Sequence, residues 1–110
     1  MNAYVLSRDA EQDLDDLWDY IADESVDAAD RLLGQLFEAF EELAQFPSMG
    51  HTRKDLTSFP VLFWPVGNYL VIYRGTRSPI EIVALVHGKR DVPAFLRRRS
   101  AGPDTTPPHQ

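Results

Sequence analysis

The sequence predicts an α+β domain in which an antiparallel helical hairpin packs on an antiparallel β-meander, and three observations carry that prediction. The stretch Asn68–Asp91 holds two apolar runs, Tyr69–Tyr73 and Ile80–Val86, rich in β-branched and aromatic residues and joined by the turn composition Gly75-Thr76-Arg77-Ser78-Pro79. Ahead of it, two stretches repeat apolar residues at helical spacing with acidic residues in the gaps. The element order is strand, two helices, then three consecutive strands, all joined by short connections, which favours a helical layer on one face of a sheet.

Ala3–Leu6 reads as the first strand. Ser7 is placed to cap a helix whose first turn carries Asp9 and Glu11 against the positive end of the helix dipole. Ala10, Leu14, Leu17, Trp18 and Ile21 form its apolar stripe, and it is expected to end near Asp23–Glu24. Ser25 or Asp27 then caps a second helix with the stripe Ala29, Leu32, Leu33, Leu36, Phe37, Phe40 and Leu43; Trp18, Phe37 and Phe40 are assigned to the core. Phe46-Pro47 stops this helix, because a residue before proline avoids the helical region. So short a link forces the two helices antiparallel.

Pro47–Ser58 reads as an irregular connection, Phe59–Trp64 as the second strand and Pro65–Asn68 as a turn. In the last strand, strict alternation sends Ile80, Ile82, Ala84 and Val86 one way and Val83 and Leu85 the other. Tyr69, Val71 and Tyr73 likewise oppose Leu70 and Ile72. A sheet apolar on both faces needs two covers. The hairpin supplies one; the other falls to Val92–Leu96 or to a partner chain. Val92–Arg99 reads as a short amphipathic stretch with a helical turn begun at Pro93. A single domain over residues 1–99 is expected, followed by a disordered, proline-rich tail over 100–110.

The 110 residues contain no cysteine, which excludes disulfides, thiolate catalysis and Cys-ligated zinc. Histidines 51, 87 and 109 are scattered, so no metal site and no cofactor are expected. No signal peptide or membrane span is evident, and a cytoplasmic location is expected. Glycines 67, 75 and 88 are single turn residues and make no phosphate cradle. Charge is unevenly spread: residues 1–46 carry 13 acidic side chains against Arg8 and Arg31, and residues 47–110 carry 9 basic against 4 acidic. Two surfaces with different partners follow from that asymmetry.

The opening YVLSRDAEQDLDDLWDYI combines a strand with an Ala-x-x-Asp-Leu helix. FPSMGHTR gives the pattern Pro-x-x-Gly-x-x-Arg at Pro47, Gly50 and Arg53, and YLVIYR precedes IEIVALVHGKRD with its closing His-x-x-Arg-Asp. In this order and spacing, over roughly residues 3–96, the chain resembles the RelE/ParE toxins of bacterial type II toxin–antitoxin systems, nearest the ParE branch. The resemblance implies a toxin that inhibits growth by binding a target, DNA gyrase being the first expectation. It also implies neutralisation by a ParD-like antitoxin, encoded by the adjacent gene, whose flexible C-terminal segment wraps the toxin. A hetero-oligomer with that antitoxin is expected, and nucleic acid would be met only through the antitoxin or the target.

The other branch of the resemblance implies ribosome-dependent cleavage of messenger RNA. Attack of a 2′-hydroxyl on its own phosphate needs a base, an acid and cations. Histidine suits the first two roles, so His87 is the candidate, with Arg53, Lys54, Arg74 and Arg90 for charge. No carboxylate evidently partners His87, and the acidic half would be repelled by ribosomal RNA, so a non-enzymatic reading is preferred. A third reading is a non-toxic relative that only binds antitoxin. Lys89, Arg90, Arg97, Arg98 and Arg99 are the candidates for contacting the target; Val83, Leu85, Phe95 and Leu96 are those for the antitoxin.

Overall fold

A computed structural model describes residues 3–100. They form β1 (Tyr4–Leu6), α1 (Arg8–Ala22), α2 (Val26–Gln45), β2 (Leu62–Val66), β3 (Tyr69–Arg74), β4 (Ile80–His87) and α3 (Val92–Ser100). The expected tail, apart from Ser100, lies outside the described residues.

Both helices of the hairpin start where their caps direct. Ser7 Oγ accepts from the Ala10 N–H at 3.0 Å, and Ser25 Oγ accepts from Ala28 N–H at 3.0 Å, each satisfying an orphan donor of the first turn. Of the two candidate caps for α2, Ser25 is the one used. Across the hairpin the Trp18 indole N–H donates to Asp30 at 3.0 Å, so Trp18 is half-buried with its polar edge at the surface. Phe40 is fully buried, and its ring meets Tyr4 edge-on at 5.3 Å. Phe37 departs from the expected core assignment: it is 37% exposed, at the margin of the stripe, and touches Phe40 edge-on.

The sheet order is β1-β4-β3-β2, with β2, β3 and β4 antiparallel in sequence order as a meander. β1 extends it by pairing parallel with the first half of β4, Tyr4 opposite Ile80 and Leu6 opposite Ile82. β2 begins later than predicted and runs on through Pro65 and Val66, leaving Gly67, with φ of 58°, and Asn68 as the turn. Proline is tolerated there because β2 is an edge strand.

The alternation along β4 also differs from expectation. Ile72 faces Ala84 but Tyr73 faces Ile82, so Val83 is an extra residue and the strand bulges. The bulge reverses the phase. Ile80, Ile82 and Leu85 share the hairpin side with Val71, Tyr73, Leu36 and Phe40, whereas Ala84 and Val86 face the opposite side with Ile72 and Phe63.

That opposite side is covered by the chain itself. Val92, Phe95 and Leu96 of α3, together with Val61, close over Ile72, Ala84 and Val86, with Val83 half-buried at the margin. α3 is longer than a turn: Asp91 Oδ1 accepts from Ala94 N–H at 3.1 Å, so the cap is Asp91 and Pro93 lies inside the first turn, where it forfeits no helical bond. Among the described residues, no helix is long and apolar enough to cross a membrane.

Candidate functional site: a cleft on the open edge of the sheet

β1 pairs with β4 only as far as Ile82, and the remainder of that edge is stitched by side chains. Ser7 N–H donates to Ile82 C=O at 2.9 Å, and Ser7 Oγ donates to Val83 C=O at 3.3 Å. Leu85 N–H donates to Asp13 Oδ2 at 3.0 Å. Arg99 donates to Val83 C=O at 3.3 Å and to Asp13 Oδ1 at 3.0 Å, lies 3.6 Å from Asp9, and stacks over the Phe95 ring at 4.5 Å. Two segments distant in sequence, the capped start of α1 and the end of α3, therefore converge on the bulge. Ser7→Ala removes both the cap of α1 and one stitch of the bulge; a loss of about 1–2 kcal/mol is expected in denaturant unfolding.

Burial drives the Asp13 carboxyl above the ordinary carboxylate range, more than the Leu85 N–H and Arg99 pull it down. What commits the carboxyl to structure is its bonding, with Oδ2 held by Leu85 N–H and Oδ1 by Arg99.

Beyond this stitching lies a cleft of about 480 Å³. One wall comes from α1, with Asp16, Leu17 and Tyr20; the other carries Lys89, Arg90 and Phe95. Leu85, Val86 and His87 line it from β4, and Tyr69 from β3. Arg90 sits over Phe95 at 5.4 Å. The His87 ring meets Tyr69 edge-on at 5.1 Å, and its Nδ1 accepts from the Lys89 N–H at 3.1 Å, leaving Nε2 turned away from that bond. Tyr20 is 76% exposed, the most open of the large apolar-bodied side chains described.

Of the residues singled out from sequence, the structure brings His87, Lys89 and Arg90 together at this cleft. Arg74 stands at the opposite end of the β3–β4 ladder, opposite Glu81, while His87 faces Tyr69. Five residues of strand separate them, about 16 Å. Arg74 and Arg77 both approach Glu81, at 3.4 and 3.3 Å. Arg53 is paired with Asp55 at 2.8 Å on the exposed loop that also carries Lys54. Arg97 and Arg98 are exposed on α3, while Arg99 is turned inward. Leu85, Phe95 and Leu96 are buried in the two cores. Asp13, Asp16 and Tyr20 are not legible as site residues in the sequence; the only signal is that Asp13 and Asp16 lie three apart on one helix face, a spacing shared by many solvated acids. Among the described residues no cluster of His, Asp and Glu is placed to hold a metal ion.

The loop Pro47–Arg53 owes its shape to Tyr73. The Tyr73 hydroxyl, on a residue with no exposed surface, donates to Pro47 C=O at 2.7 Å and accepts from Gly50 N–H at 2.9 Å. Burial raises its phenol above the usual value, which keeps it protonated and able to donate. His51 then pairs with Phe63 as an isolated bridge and shields the outer edge of β2.

This hairpin-on-sheet fold is one already seen in a toxin–antitoxin assembly. A chain from the chromosomal ParDE system of P. aeruginosa superimposes with a TM-score of 0.64 at 21% identity, covering 79% of this chain and 96% of that one. The family model described as the ParE toxin of the type II toxin–antitoxin system parDE matches residues 4–92. Toxin ParE1 of Caulobacter vibrioides is 33% identical over 98 residues, spanning 87% of this chain and 99% of that protein. The chain belongs to the ParE toxin family of type II toxin–antitoxin systems.

Proposed function

We propose that this ParE-family toxin arrests growth by binding DNA gyrase in the cytoplasm and is held inactive by a ParD-like antitoxin from the adjacent gene. The match to the ParE family over residues 4–92 supports this reading most directly. The scatter of the RNase candidates supports it as well. Arg74 is at the far end of the β3–β4 ladder from His87, Arg53 is spent on Asp55, and His87 bonds no carboxylate among the described residues. Asp13, on the same cleft, is committed to Leu85 and Arg99. A general base and acid flanking one phosphate need tighter convergence than that. Lys89, Arg90 and Arg98 form the basic end available to an acidic target surface, with Arg97 beside them on α3, and the antitoxin covers the adjoining cleft.

Induction without antitoxin should stop growth, and purified toxin should inhibit gyrase supercoiling in vitro. Unchanged supercoiling at high toxin excess would remove gyrase as the target. Mapping messenger RNA 5′ ends after induction separates the nuclease reading, which predicts new ends that disappear in His87→Ala. Absence of growth arrest would leave only antitoxin binding.

A further inference from the structure

The uneven charge of the chain has a place in the fold. All 13 acidic side chains of residues 1–46 lie on α1, α2 and the link between them, the layer on one face of the sheet. On the opposite face α3 covers Ile72, Ala84 and Val86 and carries the exposed Arg97 and Arg98. Beyond the end of α3 that face stays open. Tyr73 and Ile82 point to the hairpin, so their neighbours Arg74 and Glu81, paired across the ladder, point away from it. Val5 stands beside Glu81 in the β1–β4 register, between Tyr4 and Leu6 of the hairpin side, and is 47% exposed. Val83 closes the strip, half-buried, where Arg99 donates to its C=O.

The charges of this strip do not balance. Arg74 and Arg77 approach one and the same oxygen, Glu81 Oε1, at 3.4 and 3.3 Å. The Arg74 Nε is buried there without a hydrogen bond. One carboxylate thus faces two guanidiniums beside two valines, and a surplus positive charge remains.

We propose that Val5, Val83, Arg74 and Arg77 form a docking strip for an acidic face of the toxin's target protein, which sets a carboxylate on Arg77 and an apolar side chain on Val5. This rests on the target-binding reading above and adds a second contact to it on the α3 side of the molecule. A partner carboxylate on Arg77 releases Glu81 to close on the Arg74 Nε, so docking also satisfies a buried donor. Charge selects the partner. The acidic hairpin of a second copy matches in sign, but hairpin and strip lie on opposite faces of the sheet. Pairing them stacks copies front to back into open chains, in place of a closed pair. The cleft assigned to the antitoxin lies at the other end of β4, with His87.

The test compares charge reversals on the two faces. Arg77→Glu and Arg31→Glu change the net charge equally, and both side chains are exposed, Arg31 on α2. Inhibition of gyrase supercoiling should need about tenfold more Arg77→Glu protein than wild type and lose part of its salt dependence, while Arg31→Glu stays at the wild-type level. Val5→Thr keeps a β-branched side chain and should weaken inhibition about threefold. Glu81→Gln removes the competing carboxylate and should inhibit at about a third of the wild-type concentration, a gain that no folding defect produces. Affinity of every variant for the small protein encoded beside the toxin should stay within about twofold of wild type.

Equal inhibition by Arg77→Glu and Arg31→Glu would overturn the proposal. So would an equal loss of antitoxin affinity and of inhibition in Arg77→Glu, which would give the strip to the antitoxin. Should Arg77→Glu fail to fold, Glu81→Gln decides alone, and inhibition no stronger than wild type sinks the strip. Concentration-dependent assembly of the wild-type toxin in sedimentation, abolished by Arg77→Glu, would assign the strip to a second copy instead. If the wild type stops growth but leaves supercoiling untouched, gyrase falls as the target, and the same comparison read as growth arrest decides the strip. If it does neither, the target reading falls and the strip with it.

Discussion

Gly50→Ala is expected to destabilise the fold by roughly 2–3 kcal/mol, a large fraction of the stability of a domain this size. A Cβ at position 50 would lie 2.5 Å from the Tyr73 hydroxyl, 2.8 Å from its Cε1 and 3.0 Å from the Phe63 carbonyl. None of these can retreat cheaply. The tyrosine ring has no exposed surface and its hydroxyl is fixed by Pro47 C=O and Gly50 N–H. The Phe63 carbonyl accepts from His51 N–H in the bridge that guards β2. The constraint is close approach and not backbone conformation, since among the described residues the positive-φ glycine is Gly67. Tyr73→Phe alone should cost about 1–2 kcal/mol, by leaving the Gly50 N–H and Pro47 C=O without their partner. In the double variant the hydroxyl clash is gone but the Cε1 and Phe63 contacts stay, so the two losses should combine to less than their sum. Urea unfolding of the four proteins measures this. A Gly50→Ala variant within about 0.5 kcal/mol of wild type would mean that the loop slides freely and that Tyr73 does not anchor it.

The same tyrosine shows what a sequence can and cannot disclose. The glycine of the Pro-x-x-Gly-x-x-Arg pattern is visible at once, but its reason is a residue 23 positions away. The hairpin was legible because its caps and stripes are local: Ser7, Ser25 and the 3.6-residue period act within a turn or two. β4 was not, and the cause is physical. A strand apolar on both faces gives alternation no contrast, so the extra residue at Val83 leaves no trace, and Leu85 changes sides unseen. The second cover was legible only as an alternative, and α3 supplies it within the chain. At the cleft, His87, Lys89 and Arg90 come together because they are neighbours in sequence, and the acidic wall of α1 joins them only through the crossover from β1. Arg99 shows the limit most plainly. In sequence it is one of three consecutive arginines, yet helical geometry turns it alone toward Asp13, while Arg97 and Arg98 stay exposed.

Arg99→Ala should therefore differ from Arg98→Ala in size and in pH dependence. The Arg99 and Asp13 side chains are 26% and 13% exposed, so their pairing is only partly screened. Removing the guanidinium strips Asp13 Oδ1 and Val83 C=O of a donor and Phe95 of a stacked cation, for a loss of about 2–3 kcal/mol near neutral pH. Arg98→Ala, with its side chain in water, should stay within about 0.5 kcal/mol. The sign of the pH effect follows from Asp13. Its folded carboxyl is raised above the usual 3.8, chiefly by burial, so the folded state holds the proton more tightly than the unfolded state. Its contribution is fully present below 3.8 and is lost as pH rises through the raised folded value. Arg99 is one of the influences pulling that value down, so in Arg99→Ala it moves further up and the window widens toward neutrality. The deficit of Arg99→Ala relative to wild type should accordingly be greatest at neutral pH and shrink on acidification as Asp13 takes up its proton in both proteins. Asp13→Asn keeps an oxygen for Leu85 N–H and cannot titrate; placed in the Arg99→Ala background, it should abolish this pH dependence. A deficit that stays constant from neutral pH down past 3.8 would mean that Arg99 acts through packing on Phe95 and not through Asp13.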